Sequence, residues 1–198
     1  MEMHTLTLHT KNLRKYVCRL LLFAVLSEIP FNLMYSSSVV YPFHQNVIWT
    51  LLIGLWMIHL NEKAKASGKT LLQILTAAGT VFLGAILGLI TFADYNSAGV
   101  LMILVFYFFR GRTWLCCLGQ FAGLYYINFE MLKGLVFPVT LFGITTEIPQ
   151  QGLAVLALLP IWLYRGRKGY SSKWFQQLCY WFYPAHMFLL WLIRYLIL

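Results

Sequence analysis

The sequence predicts an all-α fold, a polytopic membrane helix bundle of about seven spans with its N-terminus inside and its C-terminus outside. Of its 198 residues, 60% are hydrophobic and only 11% are charged. A soluble domain needs about twice that share of charged residues. The composition therefore excludes a soluble enzyme, a disordered tail and a secreted disulfide scaffold. Long apolar runs and the placement of the charges between them are the two other observations that predict this fold.

Apolar runs define the predicted spans, and polar or charged segments separate them. The seven runs are Val17–Met34, Val47–Leu60, Leu71–Phe92, Gly99–Phe109, Thr113–Phe129, Gly152–Tyr164 and Trp174–Leu198. Several are shorter than the roughly 20 residues that a straight helix needs to cross a bilayer, so tilt or re-entrant pieces are expected. A further apolar stretch, Leu135–Ile144, follows the polar residues Glu130–Lys133. That region fits either one interrupted helix or a helix followed by a re-entrant segment.

The basic residues lie almost entirely in alternate loops. Thirteen of the 15 Lys and Arg residues fall there, namely Lys11, Arg14, Lys15, Arg19, Lys63, Lys65, Lys69, Arg110, Arg112, Arg165, Arg167, Lys168 and Lys173. Lys133 and Arg194 are the exceptions. This is the positive-inside pattern. It predicts a multi-pass membrane protein, and it accounts for the net charge of +9 without nucleic acid as a partner.

No polar stretch is long enough for a folded soluble domain. The sequence therefore predicts one transmembrane domain over residues 1–198, with a short cytoplasmic arm at residues 1–15. The four cysteines show no zinc-type spacing, and no phosphate-binding or dinucleotide-binding motif occurs. No metal site is expected.

Glu28 is the first ionisable residue expected inside the bilayer, where charge is costly and often functional. Asn32 lies four residues later, on the same helix face. Pro30 frees the carbonyl of Leu26 and is expected to kink the helix. The alternative is a carboxylate near a helix end that reaches interfacial water.

His186 is the second such residue, in the segment Phe182–His186. Tyr183 lies three residues earlier, on the same side of the helix, and Pro184 is expected to free the carbonyl of Tyr180. The predicted depths of Glu28 and His186 match. A neutral imidazole oriented by a carboxylate is a plausible general base. The alternative is a histidine that only packs and hydrogen-bonds between helices.

Polar residues of two outer loops are expected around the mouth above this pair. Asp94 lies in one loop, and His44 and Asn46 lie in the other. On the cytoplasmic side, the turn around Arg165, Arg167 and Lys168 could hold the phosphates of a nucleotide-like donor. The alternative for the outer loops is that these residues are ordinary solvent-exposed loop residues. The alternative for the cytoplasmic turn is that its charges set the membrane topology and contact anionic lipids.

Short motifs that run in order through the chain resemble the TraX family of membrane proteins. They are Thr10–Tyr16, Arg19–Leu20, Ser27–Asn32, Gln45–Val47, Asp94–Asn96, Gly99–Leu101, Tyr164–Gly169 and Phe182–His186. The family's namesake acts in bacterial conjugation and N-acetylates the pilin subunit. The family looks like a relative of multi-span acyltransferases that use acetyl-CoA.

The resemblance implies an N-acetyltransferase that uses acetyl-CoA and acts on a membrane-associated acceptor such as pilin. It implies site residues at Arg19, Glu28, Asn32, Asn46, Asp94, Arg167 and His186. We expect His186, oriented by Glu28 or Tyr183, to take a proton from the acceptor amine. Asn32 or Asn46 is expected to donate to the developing oxyanion. Acetyl-CoA phosphates are expected near Arg14, Lys15, Arg165, Arg167 and Lys168.

One feature departs from the family pattern. Family members usually begin with further apolar segments that include an Asp-His pair, which occurs nowhere in this sequence. A truncated, inactive member is therefore one alternative. A non-enzymatic small transporter or assembly partner is another, because broken helices with buried polar groups also mark transport sites.

Overall fold

The computed structural model describes residues 12–132, 134–141, 144–164 and 172–197. The described chain forms two compact units. We call residues 12–100 with 172–197 the terminal unit, and residues 101–164 the middle unit. The division falls inside helix α4 (Asn96–Phe108). Each unit is described by itself.

The terminal unit contains four long helices and the first turn of α4. They are α1 (Leu13–Ser36), α2 (Val47–Ala66), α3 (Thr70–Ile90) and, after the middle unit, α7 (Lys173–Ile197). The bounds follow local signals. Asn12 and Asn46 cap the first turns of α1 and α2 with their side chains, and Ser37 ends α1 in the left-handed region at φ 56°. Both α1 and α7 continue through an internal proline, Pro30 and Pro184.

Helices α1 and α7 lie side by side and run parallel. The rings of Phe23 and Tyr180 stack at 5.3 Å near one end. Near the other end, the Arg194 guanidinium donates to the carbonyl of Met34 at 2.9 Å. Helix α2 runs antiparallel to α1, and a small core of Leu20, Ala24, Ile48 and Leu55 lies between these two helices. Tyr183 of α7 packs against that core.

Helices α2 and α3 form an antiparallel pair. The buried Asn61 Nδ2 donates to the Thr80 hydroxyl at 2.7 Å across the pair. At its far end, Gln45 N–H donates to the Phe92 carbonyl at 2.8 Å. Thr50 then donates to the Asp94 carbonyl at 2.9 Å. The loops before α2 and after α3 are thus held together by hydrogen bonds.

Charge is segregated along the terminal unit. The start of α1, the α2–α3 connection and the start of α7 lie at one end, and they carry seven of the eight basic residues that the structure describes in this unit: Arg14, Lys15, Arg19, Lys63, Lys65, Lys69 and Lys173. Arg194 lies at the opposite end, with His44 and Asp94. The alternation of charge along the sequence thus becomes a separation of charge in space.

The middle unit combines short helices with a hairpin. After α4 come α5 (Trp114–Tyr125), a π-helical segment (Tyr126–Met131), strands β1 (Val136–Leu141) and β2 (Ile144–Pro149), a 3₁₀ segment (Gln150–Ala157) and α6 (Leu158–Leu163). Two buried amides organise its helical part. Gln120 donates to the Phe109 carbonyl at 2.6 Å and accepts from the Trp162 indole at 2.7 Å. Asn128 donates to the Leu124 carbonyl at 2.8 Å.

The hairpin is an addition to the predicted fold class. The helical class is confirmed for most of the described chain, but β1 and β2 pair antiparallel with Val136 opposite Pro149 and Leu141 opposite Ile144. Neither option for the region after Glu130 included strands. The physical reason lies in the residues: this stretch is rich in β-branched Val, Ile and Thr, which favour strands. Gly134, with φ at 52°, separates it from the preceding helical segment.

Seven spans were predicted, and two helices of the described residues are long and apolar enough to cross a membrane. These are α1 and α3. Helix α4 and the segment Gln150–Leu163 are apolar but shorter. These two helices are selected by their length and composition alone. Most of the other predicted apolar runs are also helical, with bounds within a few residues of those predicted.

We predict that Gly88→Ala destabilises the terminal unit, because α3 approaches the start of α4 closely there. A Cβ atom on Gly88 would lie 2.5 Å from the Asn96 carbonyl oxygen and 2.9 Å from its carbonyl carbon. Such overpacking against backbone costs about 1–3 kcal/mol of unfolding free energy. Gly79→Ala is the matched control, since a Cβ there meets nothing within 4 Å. Unfolding of both variants in detergent measures the difference, and equal stability would contradict the close approach.

Candidate functional site

Asn46 is the fully buried residue that links α1 to α2 at the candidate site. Its Oδ1 accepts from the Ile48 N–H at 3.0 Å, which caps α2. Its Nδ2 donates to the Ala24 carbonyl at 2.8 Å and to Glu28 Oε2. One amide therefore fixes the beginning of α2 against the middle of α1 and holds the Glu28 carboxylate. Because both of its donor hydrogens have acceptors, Asn46 serves here as a positioning residue.

Glu28 is half-buried and has one oxygen without a hydrogen-bond partner among the described residues. That atom is Oε1. The Trp49 indole lies close enough to interact with the carboxylate, although its Nε1 makes no hydrogen bond to a described residue. In the described part of the chain, the two ion pairs are His44–Asp94 and Lys65–Glu62, so no described cation pairs with Glu28. The groups that hold the carboxylate are thus neutral, and the His44 imidazole attracts it without forming an ion pair.

Tyr183 brings α7 to the same place. Its hydroxyl is buried and has no hydrogen-bond partner among the described residues. It lies near the backbone N–H of Val47 and interacts electrostatically with Glu28 and Asp94. Val47 is the first residue of α2, where the helix N-terminus carries partial positive charge. A phenol, a carboxylate and a helix N-terminus therefore converge at this point.

His44 and Asp94 form the neighbouring ion pair, with His44 Nε2 3.5 Å from Asp94 Oδ1. Two aromatic rings hold the imidazole: Phe31 stacks on it at 5.4 Å and Tyr35 at 4.4 Å. Burial raises the pKa of the Asp94 carboxyl, and attraction to His44 acts in the opposite direction. The pair closes the end of the terminal unit at which Arg194 also lies.

His186 lies one turn after Tyr183 on α7. Its ring contacts Tyr183 edge-on at 5.4 Å and stacks on Phe182 at 5.0 Å. His186 Nδ1 lies 2.9 Å from the Phe182 carbonyl oxygen, which can only accept a hydrogen bond. Nδ1 therefore carries the proton in the neutral ring, and Nε2 keeps its lone pair. The orienting hydrogen bond comes from its own helix, whereas the Glu28 carboxylate is bonded to Asn46.

Asn32, the other residue of α1 that was predicted to take part in catalysis, is buried. Its Nδ2 donates to the Val39 carbonyl at 3.3 Å. Its Oδ1 is buried without a partner among the described residues, and so is the hydroxyl of Ser27. Unsatisfied polar atoms of this kind are uncommon in native interiors. Most of those found in the described residues lie in α1, in the first turn of α2 and on Tyr183.

The predicted donor-binding residues are only partly described. Arg14, Lys15 and Arg19 lie on the first turns of α1, with the Arg19 guanidinium 5.4 Å from the centre of the Tyr180 ring. Arg165, Arg167 and Lys168 lie outside the described residues. Among the residues that the structure does describe, no group of three His, Cys, Asp or Glu side chains could hold a metal ion.

Sequence reasoning missed Trp49 and the aromatic clamp on His44. Trp49 read as part of an apolar run, yet it lies one helical turn after Asn46, so the two share a helix face. Phe31 and Tyr35 are also four residues apart on α1. The spacing of aromatic residues around polar ones was the available signal. The sequence does not predict that Phe31 and Tyr35 contact His44, because that contact depends on how α1 and α2 pack.

We predict that Asn46→Ala costs more stability than Asn12→Ala. Both changes remove an asparagine N-cap, worth about 0.5–2 kcal/mol. Asn46→Ala also removes the donor of Glu28 Oε2 and the second donor of the Ala24 carbonyl, and the unpaired carboxylate oxygen adds about 1–3 kcal/mol. The two free energies of unfolding, measured under identical conditions, give the contribution of the buried hydrogen bonds. Equal losses would mean that those bonds contribute nothing.

We also predict a pH dependence from Asp94. A carboxyl whose pKa is raised by folding stabilises the protein below its ordinary value of 3.8, and this contribution is lost as the pH rises through the raised pKa. The melting temperature should therefore fall as the pH rises from about 4 toward neutrality. Asp94→Asn should flatten that part of the profile. An unchanged slope in the variant would assign the effect to another group.

Comparison with known proteins gives one match. The profile of the TraX protein family matches residues 3–194, which is nearly the whole chain. No curated protein and no solved structure matches it. The match covers every residue of the site described above. The chain therefore belongs to the TraX family.

Proposed function

We propose that this chain is a membrane acetyltransferase that moves an acetyl group from acetyl-CoA to the amine of a membrane-associated acceptor such as pilin. Membership of the TraX family supports a role related to conjugation. The observation that carries the enzymatic proposal is that Tyr183 interacts with the Asn46-bonded Glu28 carboxylate and contacts the His186 ring, whose Nε2 keeps its lone pair.

A multi-pass location in the bacterial cytoplasmic membrane is part of this proposal. Helix α3 has the polarity expected for a helix in lipid: Leu71 and Phe82 are each 71% exposed, whereas its buried residues are Thr80, Gly84 and Gly88. Small residues at helix contacts are typical of membrane bundles. Within the apolar 18-residue stretch of each helix, only 28% is buried in α1 and 17% in α3. Core helices of soluble proteins, by contrast, are mostly buried.

The orientation we propose puts the basic end of the terminal unit in the cytoplasm. The described basic residues there outnumber those at the opposite end by seven to one. Such asymmetry is what the positive-inside rule requires. The His44–Asp94 pair, Glu28 and Asn46 then lie toward the outer face, where a membrane-associated acceptor arrives.

In this proposal His186 acts as the general base. With Nδ1–H committed to the Phe182 carbonyl, Nε2 is the atom that takes the proton from the attacking amine. A C–N bond forms, the C–S bond of the thioester breaks, and the thiol leaves with a proton returned from the imidazolium. The Tyr183 hydroxyl, which has no acceptor among the described residues, is placed to donate a hydrogen bond at the reacting carbonyl.

Acetyl-CoA supplies the acetyl group in activated form, and the residues at the basic end fit its charge. Arg14, Lys15 and Arg19 would hold its phosphates, because guanidinium and ammonium groups bind phosphate with charge-assisted hydrogen bonds. We propose the same role for Arg165, Arg167 and Lys168 on the sequence pattern alone. Asn46 keeps Glu28 in place, and Asp94 keeps His44 in place.

We predict that the purified protein in lipid nanodiscs transfers labelled acetyl groups from acetyl-CoA to membrane peptides with a free N-terminus. His186→Ala should lower the rate by about 100-fold or more, the usual contribution of a general base. The matched control is His59→Ala, which removes an exposed histidine from α2 of the same unit.

The results decide between the proposed enzyme and its rivals. Transfer that is unchanged by His186→Ala would remove that residue from the mechanism. Absence of both transfer and acetyl-CoA binding would favour the non-enzymatic alternatives, a small transporter or an assembly partner. Calorimetry that measures the binding of acetyl-CoA separates the enzyme from these non-enzymatic proteins directly.

A further inference from the structure

Among the described residues, no side chain forms an ion pair with the Glu28 carboxylate, although His44 attracts it from beyond ion-pair distance. Asn46 supplies one neutral donor to Oε2, and the Trp49 indole faces the carboxylate. Neither group neutralises its charge. A carboxylate removed from water without a counter-charge is costly, and it is retained where a ligand supplies that charge.

The other groups around Glu28 are of the kind that receives a cation with N–H donors. Asn32 Oδ1 is an acceptor without a partner among the described residues, four residues along the same face of α1. The rings of Trp49 and Tyr183 add aromatic faces, which attract ammonium groups. Glu28, Trp49 and Tyr183 are half-buried as residues, whereas their unpartnered polar atoms lie in the interior.

We infer that Glu28 binds the acceptor's N-terminal ammonium group directly, as the recognition residue for the charged amine. This inference rests on the proposed function for the identity of the ligand as an acceptor peptide. It assigns Glu28 to binding of the ammonium, which releases one proton to water to become the attacking amine, whereas His186 Nε2 takes the proton that this amine loses on attack. The two ionisable residues then have separate roles, in agreement with their separate hydrogen bonds to Asn46 and to the Phe182 carbonyl.

The surrounding charge favours a peptide N-terminus over the other common membrane ammonium, the phosphatidylethanolamine headgroup. That headgroup carries a phosphate two carbons from its nitrogen. Glu28 and Asp94 both act on Tyr183, so a second negative group there would meet two carboxylates. A peptide instead places a neutral carbonyl beside its ammonium, within reach of a donor such as the Tyr183 hydroxyl.

The test measures binding without catalysis. The full chain in phosphatidylcholine nanodiscs is titrated with a short leucine-rich peptide amide, once with a free N-terminus and once N-acetylated. We expect the free peptide to bind at least about tenfold more tightly, the value of one charge-assisted hydrogen bond. Glu28→Gln should remove that preference. The control Glu62→Gln changes a half-buried carboxylate of α2 that faces Lys65 at 3.7 Å, and it should keep the preference.

Further arms separate the possible failures. His186→Ala should bind the free peptide as the unaltered chain does, because it lacks only the base. Equal binding of the free and acetylated peptides by the unaltered chain overturns the inference even if Glu28→Gln fails to fold. So does loss of peptide binding when half of the phosphatidylcholine is replaced by phosphatidylethanolamine. Acetyl transfer without Glu28-dependent binding would leave the enzyme proposal standing, and Glu28-dependent binding without transfer would leave only the ammonium site.

Discussion

The packing of the terminal unit depends on one buried amide. Asn46 caps α2, bonds the Ala24 carbonyl of α1 and positions the Glu28 carboxylate with a single side chain. Each of these bonds is modest when made, but each would leave a buried polar group unsatisfied when lost. The direction of α2 relative to α1 and the placement of the carboxylate are therefore set together. Tyr183 reaches the same point by packing on the adjoining core.

In the membrane location that we propose, polar contacts of this kind matter more than in a water-soluble bundle. The apolar side chains of α3 mostly face outward, and the contacts that align α2, α3 and the start of α4 are the Asn61–Thr80 and Thr50–Asp94 hydrogen bonds and the glycine at position 88. Where lipid is as apolar as the side chains, hydrophobic burial does not select one helix pairing over another. Hydrogen bonds and close backbone approach supply that selection.

Hydrophobic runs were sufficient to predict most helices, and the structure adds Asn12, Asn46 and Thr113 as the caps at which three of them begin. The hairpin was not predictable from hydropathy, which does not distinguish an apolar strand from an apolar helix segment. At the site, chemistry and spacing indicated Glu28, Asn46 and His186. Their partners were not deducible, since the Asn46–Glu28 and His44–Asp94 contacts join residues whose proximity depends on helix packing. The hydrogen bond of His186 is local, because its acceptor is the carbonyl of Phe182, four residues earlier on the same helix. That spacing was the signal from which this bond could have been predicted.

The parallel pairing of α1 and α7 has a consequence for synthesis. The Arg194–Met34 contact joins residues 160 positions apart, so α7 is translated long after α1, against which it packs. Glu28 and Asn46 emerge long before Tyr183 and His186. Their site is therefore completed only when α7 leaves the ribosome and docks beside α1. Whatever the site does, a chain arrested before α7 carries only half of it, and activity has to wait until α7 has been translated.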